Sequence, residues 1–325
     1  MTGFVDRRRA PAVMLACGLG GLCLAAATAG LFGGLDPRLD ILTHFTPFWL
    51  CGAGVAIGVG LLPATGRARR VLLAIGLLGL LAAAARLAPE MTRPIRPDVA
   101  GGAGARLRLV QFNAWRENAD PVAAAAWIAG QNADLVTAED VTPALRAAMT
   151  AQGYTAVPGM VSTAVFSRGL SPRPRFMVPF PDWALLPDMA RGRFAIAGGP
   201  ETFTVLAVHI NRPNVESAWP EREALARLLD DQHHERLIVA GDFNLTPWSF
   251  GLARLDRRLG LERRDRAVAT WPALGRIGGA LRPLPPVLPL DHVYAGREWR
   301  TVSVRRGPRL GSDHFPLIVD LVLRP

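Results

Sequence analysis

The chain has 325 residues, half of them apolar and only 20% charged, with a positive mean hydropathy. A disordered chain is excluded by that composition, and the length allows one large domain or two smaller ones. The net charge of +10 comes from 37 arginines against 27 acids, with no lysine at all, and divides about evenly between residues 1–100 and 101–325. Such a mild surplus leans toward anionic partners without reaching nucleic-acid-binding charge density.

The apolar excess lies before residue 90. Residues 11–35 and 41–66 contain no charged side chain, and 71–88 carry only Arg86. About 20 helical residues cross a bilayer core, so three spans are expected, at about 11–34, 41–63 and 71–88. Arg86, near a span end, is expected to reach toward the headgroups. His44 reads as an interfacial residue of the second span. Arg7, Arg8 and Arg9 precede the first span, and Arg67, Arg69 and Arg70 separate the second from the third. The positive-inside rule then places the N-terminus in the cytoplasm and everything after the third span outside. The first span also fits a cleaved signal peptide, and that alternative leaves the destination unchanged. All three cysteines (Cys17, Cys23 and Cys51) fall in this region, so the remainder has no disulfide and no cysteine metal site. Residues 89–105 are rich in proline and glycine and read as a linker.

From 106 onward short apolar runs alternate with helical stretches. Strands are expected at 107–113, 134–138, 163–167, 203–209, 237–241, 290–294 and 315–321, and helices at 121–130, 143–152, 220–232 and 249–259. Interleaving of this kind gives an α/β domain. Five apolar strands end on, or run into, a group able to hold a metal or move a proton: Asn113, Glu139, His209, Asp242 and Asp291. The pair Asp313 and His314 opens the last strand. One such residue is more often a turn former or helix cap; six positions together describe a site on a sheet edge.

These residues carry a resemblance. IVAGDFNLTPWS at 238–249, PLDHVYA at 289–295 and GSDHFPLIVDL at 311–321 resemble the endonuclease/exonuclease/phosphatase superfamily, the DNase I-like fold. QFNAWREN at 111–118, LVTAEDV at 135–141 and AVHINRP at 207–213 match its other motifs in order. The resemblance implies an α/β four-layer sandwich, two β-sheets flanked by helices, over 106–325. Behind three transmembrane helices, the domain is similar to a bacterial membrane-anchored type, which implies the inner (plasma) membrane and an extracytoplasmic catalytic domain. It further implies that Asn113, Glu139 and Asp313 serve a divalent metal. Hard oxygen donors suit Mg²⁺ or Mn²⁺. Asp242 would orient or deprotonate the attacking water with Asn244 steadying it, His314 would face the scissile phosphate with Asp291 as its partner, and His209 would contact a phosphate oxygen or the leaving group. The implied reaction is metal-dependent phosphoester hydrolysis without a covalent intermediate.

The sequence departs from the family at Ala138, where a glutamine is usual, and at Trp115, where some members carry a second polar group, so one metal is expected in place of two. Ser167 and Arg168 match a position near the family's site. Arginines at 254–266 and 305–309 fit either a phosphate grip or a solvated face. The partners implied are a lipid bilayer and a phosphoester substrate, either nucleic acid or a lipid headgroup or other small phosphodiester; no protein partner is readable. The competing class is a non-catalytic extracytoplasmic binding module.

Overall fold

The computed structural model describes residues 10–62, 66–94, 104–173, 183–196, 201–230 and 234–324. Arg7 to Arg9, linker residues 95–103 and the expected helix end at 231–232 lie outside the described residues. The chain forms two compact units: residues 1–93 with 246–253, and residues 94–245 with 254–325.

The first unit contains α1 (Ala10–Gly30), α2 (Pro37–His44), α3 (Thr46–Leu61) and α4 (Arg67–Thr92). Two helices, Pro11–Gly30 and Arg67–Thr92, are long and apolar enough to cross a membrane, and a third crossing exists if α2 and α3 count as one span. The expected continuous helix over 41–63 is instead broken at Phe45, where α2 and α3 meet at 62°. Pro47 supplies the reason, because it lacks an N–H and its ring obstructs the preceding turn. Side chains take up the carbonyls released at the break. Thr43 Oγ1 donates to Asp40 O (2.6 Å), Thr46 Oγ1 to Thr43 O (2.5 Å) and Trp49 Nε1 to Leu42 O (2.8 Å). Glycines let α3 and α4 approach closely: a Cβ on Gly76 would lie 2.9 Å from Ala53 O. Helix α4 continues through Pro89 to Thr92, so the first residues of the expected linker are helical.

The second unit contains β1 (Arg106–Asn113), α5 (Pro121–Gly130), β2 (Leu135–Glu139), α6 (Pro143–Ala151), β3 (Thr155–Pro158), β4 (Ala164–Ser167), β5 (Asp188–Ala195), β6 (Thr202–His209), α7 (Ala218–Asp230) and β7 (Leu237–Asp242). After α8 (Phe250–Arg258), whose first four residues belong to the first unit, follow β8 (Glu262–Arg263), β9 (Leu274–Ile277), β10 (Ala280–Pro283), β11 (Asp291–Ala295), β12 (Trp299–Arg306) and β13 (Leu317–Leu323). The strands form a six-stranded sheet, β12-β13-β1-β2-β4-β3, and a five-stranded sheet, β5-β6-β7-β11-β8; β9 and β10 make a separate hairpin. Both large sheets are mixed. Their parallel pairs, β1/β2 and β6/β7, are each bridged by a helix, α5 or α7. Asp120 and Thr142 cap α5 and α6 through the amides of Ala123 and Leu145, each followed by proline in the first turn.

The strand period of two sends apolar side chains to both faces of the sheets. Leu107, Leu109, Leu135, Val205, Ala207, Ile238, Ala240 and Val293 fill the space between the sheets. Val110, Phe112, Val136 and Ala138 point the other way, against Ile128 of α5 and Leu145 and Met149 of α6. Ala138 therefore belongs to the helix-side core, on the opposite face of β2 from Glu139, and its small side chain removes nothing from the inter-sheet face.

Candidate active site

Extending the inter-sheet parity to the strand ends generates the site. In β1 the series Leu107, Leu109 continues to Gln111 and Asn113; in β2, Leu135 continues to Thr137 and Glu139; in β6, Val205 and Ala207 lead to His209; in β7, Ile238 and Ala240 lead to Asp242. Strand β11 runs antiparallel to β7 and so begins, with Asp291, where its neighbour ends. Register completes the alignment: Asn113 pairs with Glu139 in one sheet, and His209 pairs with Asp242, which pairs with Asp291, in the other. One face that is apolar along its length becomes polar at one end. Three residues just beyond these strand ends, Trp115, Asp140 and Asn244, adopt φ of 57°, 52° and 51° and turn the chain sharply away.

Hydrogen bonds join the two rows. Asn113 Nδ2 donates to Asp242 Oδ2 (2.9 Å), while Asp242 Oδ1 accepts from the Asn244 amide N–H (2.8 Å). Asn244 Nδ2 donates to Ile210 O (2.9 Å), which fixes the turn after Asp242. His314 Nδ1 lies 2.8 Å from Asp291 Oδ2, and its Nε2 lies 3.7 Å from Asp242 Oδ2. His209 Nε2 is also 3.7 Å from that oxygen, and its Nδ1 is 4.0 Å from Asp140 Oδ1, which Arg116 Nε holds at 2.9 Å. The site thus gathers Asn113, Glu139, His209, Asp242, Asn244, Asp291 and His314. The Asp313 carboxylate accepts from Trp271 Nε1 at 3.3 Å, and its charge adds to the rise in the His314 pKa. Ser167 pairs with Leu135, at the opposite end of β2 from Glu139, so the expected place of Ser167 and Arg168 beside the site is not what the fold gives.

Three contributors were not foreseen in the sequence. Gln111 Nε2 donates to both Glu139 Oε2 and Asp291 Oδ1, each at 2.9 Å, and so ties the sheets together one layer beneath the surface. Thr270 Oγ1 donates to Asp291 Oδ2. Ser312 Oγ donates to Asn113 O (2.7 Å) and accepts from the His314 amide N–H (2.9 Å), locking the His314 loop onto β1. The signal for Gln111 was present as a polar residue in the inter-sheet parity of an apolar strand. Thr270 and Ser312 come from loops, where no periodicity marks them.

The electrostatics divide this cluster into two kinds of position. Burial raises the pKa of Glu139 well above the usual carboxylate range, with Asp291 and Asp242 adding to it. Its Oε1 is buried with no hydrogen-bond partner among the described residues. Burial also raises Asp242; the histidines oppose the rise without cancelling it. Burial resists charge on His314, but Asp291 and Asp242 outweigh it and lift the imidazole to about 10. Asp242, Asp291 and His314 have ligand-capable atoms within 4.8 Å of one another. Within the trio His314 Nδ1 and Asp291 Oδ2 are hydrogen-bonded, while Asp242 accepts from Asn113 Nδ2 and the Asn244 amide and faces His314 Nε2 at 3.7 Å. The oxygen that remains open to a cation is Glu139 Oε1, with Asn113 Oδ1 on the paired residue, and this hard oxygen pair fits Mg²⁺ or Mn²⁺.

Because the folded pKa of His314 lies above its unfolded value, its contribution to stability is full below about 6.5 and is lost as pH rises toward about 10. In the metal-free protein the His314 ring resonance should titrate near that upper value, and in Asp291→Asn it should move down by more than one pH unit. Titration of both proteins by NMR checks this, and an unmoved midpoint contradicts the pairing. Gln111→Leu removes the donor shared by two buried carboxylates and should cost about 1–3 kcal/mol, read as a lowered thermal unfolding midpoint.

Comparison with known proteins agrees with this architecture. Residues 110–314 match the model of the Endonuclease/Exonuclease/phosphatase family. No curated protein sequence matches the chain. Among solved structures, an endonuclease/exonuclease/phosphatase family protein from Bacteroides thetaiotaomicron is similar over 68% of this chain and 99% of its own, at 14% identity and TM-score 0.52. One from Bacteroides vulgatus covers 68% of this chain and 100% of its own, at 16% identity and TM-score 0.54. D. rerio TDP2 complexed with a single-strand DNA product covers 67% and 99%, at 14% identity and TM-score 0.52. With the family model spanning most of the chain and two mixed sheets flanked by helices beneath it, the chain belongs to the endonuclease/exonuclease/phosphatase family and has its DNase I-like fold.

Proposed function

We propose that this protein is a membrane-anchored, divalent-metal-dependent phosphoesterase that hydrolyses phosphodiester bonds by direct attack of water. The observation that carries the reading is the convergence of Asp242, Asp291 and His314 at one sheet end with an unpartnered carboxylate oxygen on Glu139. A binding module has no use for either.

In this reading Asp242 accepts the proton of the attacking water, and its burial, which raises its pKa, makes it a stronger base. Asn244 and Asn113 fix its carboxylate. The His314 imidazolium, turned by Asp291, offers Nε2–H to a phosphoryl oxygen, where it stabilises developing charge. His209, the most exposed of the group, gives a proton to the leaving oxygen. One P–O bond forms to water and one breaks to the leaving group, with the proton passing from the water to Asp242 and from His209 to the product. Glu139 and Asn113 would hold the metal ion, with Asp313 as a third oxygen donor. Such an ion supplies Lewis-acid stabilisation of charge on the phosphoryl and leaving oxygens.

Two substrate classes are supported. The TDP2 structure, of the same fold, holds a DNA product. The apolar helices fit a membrane anchor and would confine the domain near lipid headgroups. The arginines at 254–266 favour neither class: Arg258 pairs with Glu223 and Asp230, Arg263 with Asp256, and Arg264 donates to the carbonyls of Ala295 and Gly296. Arg306 and Arg309, by contrast, both lie over the ring of Phe315, the residue after His314, at 4.7 and 5.1 Å. They put positive charge next to the histidine. Placing the arginines at 67–70 in the cytoplasm sends the catalytic domain to the outer face of a bacterial inner membrane.

The test uses the full chain in detergent micelles beside His314→Ala and Asp242→Asn, with supercoiled plasmid in one arm and phospholipid vesicles in the other. Hydrolysis in one arm should need Mg²⁺ or Mn²⁺, stop with chelator, and fall by about 10²–10⁴-fold in each variant. Turnover of neither substrate, or full activity in either variant, overturns the proposal. In a separate measurement Mg²⁺ or Mn²⁺ should raise the unfolding midpoint of the wild-type chain, by about 2.7 kcal/mol at one hundred times Kd. Glu139→Gln should lose that response.

A further inference from the structure

The segment Thr246–Ala253 belongs to the helical unit, although it begins two residues after Asn244. Four groups on the N-terminal helices hold it. Asp40 of α2 accepts from the amides of Phe250 (2.8 Å, Oδ1) and Gly251 (2.7 Å, Oδ2), so its carboxylate caps the start of α8. Amides at a helix start have no partner within the helix, and an anion there also meets the positive end of the helix dipole. His44 Nδ1 accepts from the Thr246 amide (3.2 Å), and His44 O accepts from Trp248 Nε1 (3.3 Å). Arg86 of α4 donates to Trp248 O through Nε (3.0 Å) and Nη2 (2.5 Å).

The fourth element is a seat for Phe250. A Cβ on Gly33 would lie 2.9 Å from Phe250 Cδ2, and one on Gly34 would lie 3.2 Å from its Cδ1, so only bare backbone leaves room for the ring. The Arg86 guanidinium stacks over the ring at 3.7 Å. Thr246, Trp248 and Ser249 are buried. Asp40 and His44, both in α2, are buried as well, at 4% exposure each. A helix that serves only as a tether has no reason to bury an aspartate and a histidine. Arg86, expected to reach the headgroups, instead ends on a peptide carbonyl.

We infer that Asp40, His44, Arg86 and the Gly33–Gly34 seat clasp residues 246–253 and, through the chain that runs directly from Asn244 into that segment, position the Asp242–Asn244 turn. The chain leaves little slack for any other arrangement. His292 holds Leu245 O through Nε2 at 2.8 Å, and the next residue, Thr246, is held by His44. Asn244, at φ 51°, lies one residue further back. Movement of the clasped segment must therefore be absorbed within a very short stretch that includes the residue fixing Asp242. Asp40 is a positioning residue in this scheme and touches no substrate.

Hydrogen–deuterium exchange on the full chain in detergent micelles tests the clasp without any substrate. In the wild type the amides of Thr246, Phe250 and Gly251 should be protected. Asp40→Ala should speed exchange across 246–253 by about tenfold or more while leaving β1 and β13 unchanged. Asp40→Asn, which keeps one acceptor oxygen, should restore part of the protection. Gly34→Val, whose added Cβ meets only the Phe250 ring, should loosen the same segment. Protection unchanged in both Asp40→Ala and Gly34→Val overturns the inference, as does loss spread evenly over the sheets. With a chromogenic phosphodiester as probe, Asp40→Ala should lower kcat more than it raises KM, with partial recovery in Asp40→Asn. An unaltered kcat alongside lost protection also overturns the positioning role. A wild-type chain that is inactive on the probe counts against the proposed function, and the exchange pattern still decides the clasp.

Discussion

Three carboxylates, Glu139, Asp242 and Asp291, are buried at one end of a core made by two sheets, and the rest of the domain is arranged to make that tolerable. Charges of like sign at such depth repel, and each is cut off from the water that would otherwise solvate it. Compensation comes from both sheets at once. Asn113 reaches from β1 to Asp242 on β7, and Gln111 reaches from β1 to Asp291 on β11 while also holding Glu139 on β2. None of these bonds forms unless the strands are in a register that puts Asn113 beside Glu139 and Asp242 beside Asp291. A slip of one residue in any of them would turn its polar terminus into a helix-side core. The site and the register thus specify each other, and Leu109, Ala240 and Val293 behind it hold the spacing that the hydrogen bonds require.

How much of this was legible in the sequence depends on burial. The seven strands expected from apolar runs are all present, with bounds moved by one or two residues, because their inward faces are continuous with the cores. The strands that escaped, β3, β5, β8, the β9–β10 hairpin and β12, are edge or short elements. Strand β12, WRTVSVRR, lies at the edge of its sheet and carries arginines that keep such an edge from pairing further. Its sequence reads as a basic cluster for the same reason. Within the site, residues at strand ends announced themselves, since a carboxylate after an apolar run breaks a pattern. Thr270 and Ser312 break no pattern, and their loops acquire meaning only when the fold brings them to Asp291 and His314.

The helical unit taught the opposite lesson. Charge counting and run length find its apolar helices, yet the break at Phe45 and the work of Asp40, His44 and Arg86 are invisible to both. Each of these three looks ordinary alone: an acid in a loop, a histidine near a span end, an arginine near another. Their common partner is a segment two hundred residues away in sequence, TPWSFGLA, whose first residues follow the GDFN motif. Only the partner converts three incidental polar residues into a clasp.

The same environment pushes neighbouring groups to opposite tasks. His314, between Asp291 and Asp242, is held as an imidazolium to about 10, so it is a fixed donor across the neutral range. Among the described residues Glu139, equally buried, has no such cation beside it; its charge-stabilising contact there is the Gln111 amide, and one of its oxygens is left unmatched. A proton would satisfy that oxygen at the cost of the carboxylate's charge, whereas a divalent cation would satisfy it and offset the repulsion from Asp242 and Asp291 together. The cation is the larger correction because it acts on all three carboxylates at once. The arrangement is therefore one in which Asp291 and Asp242 favour the charged form of His314, while Glu139 Oε1 is left without a partner among the described residues.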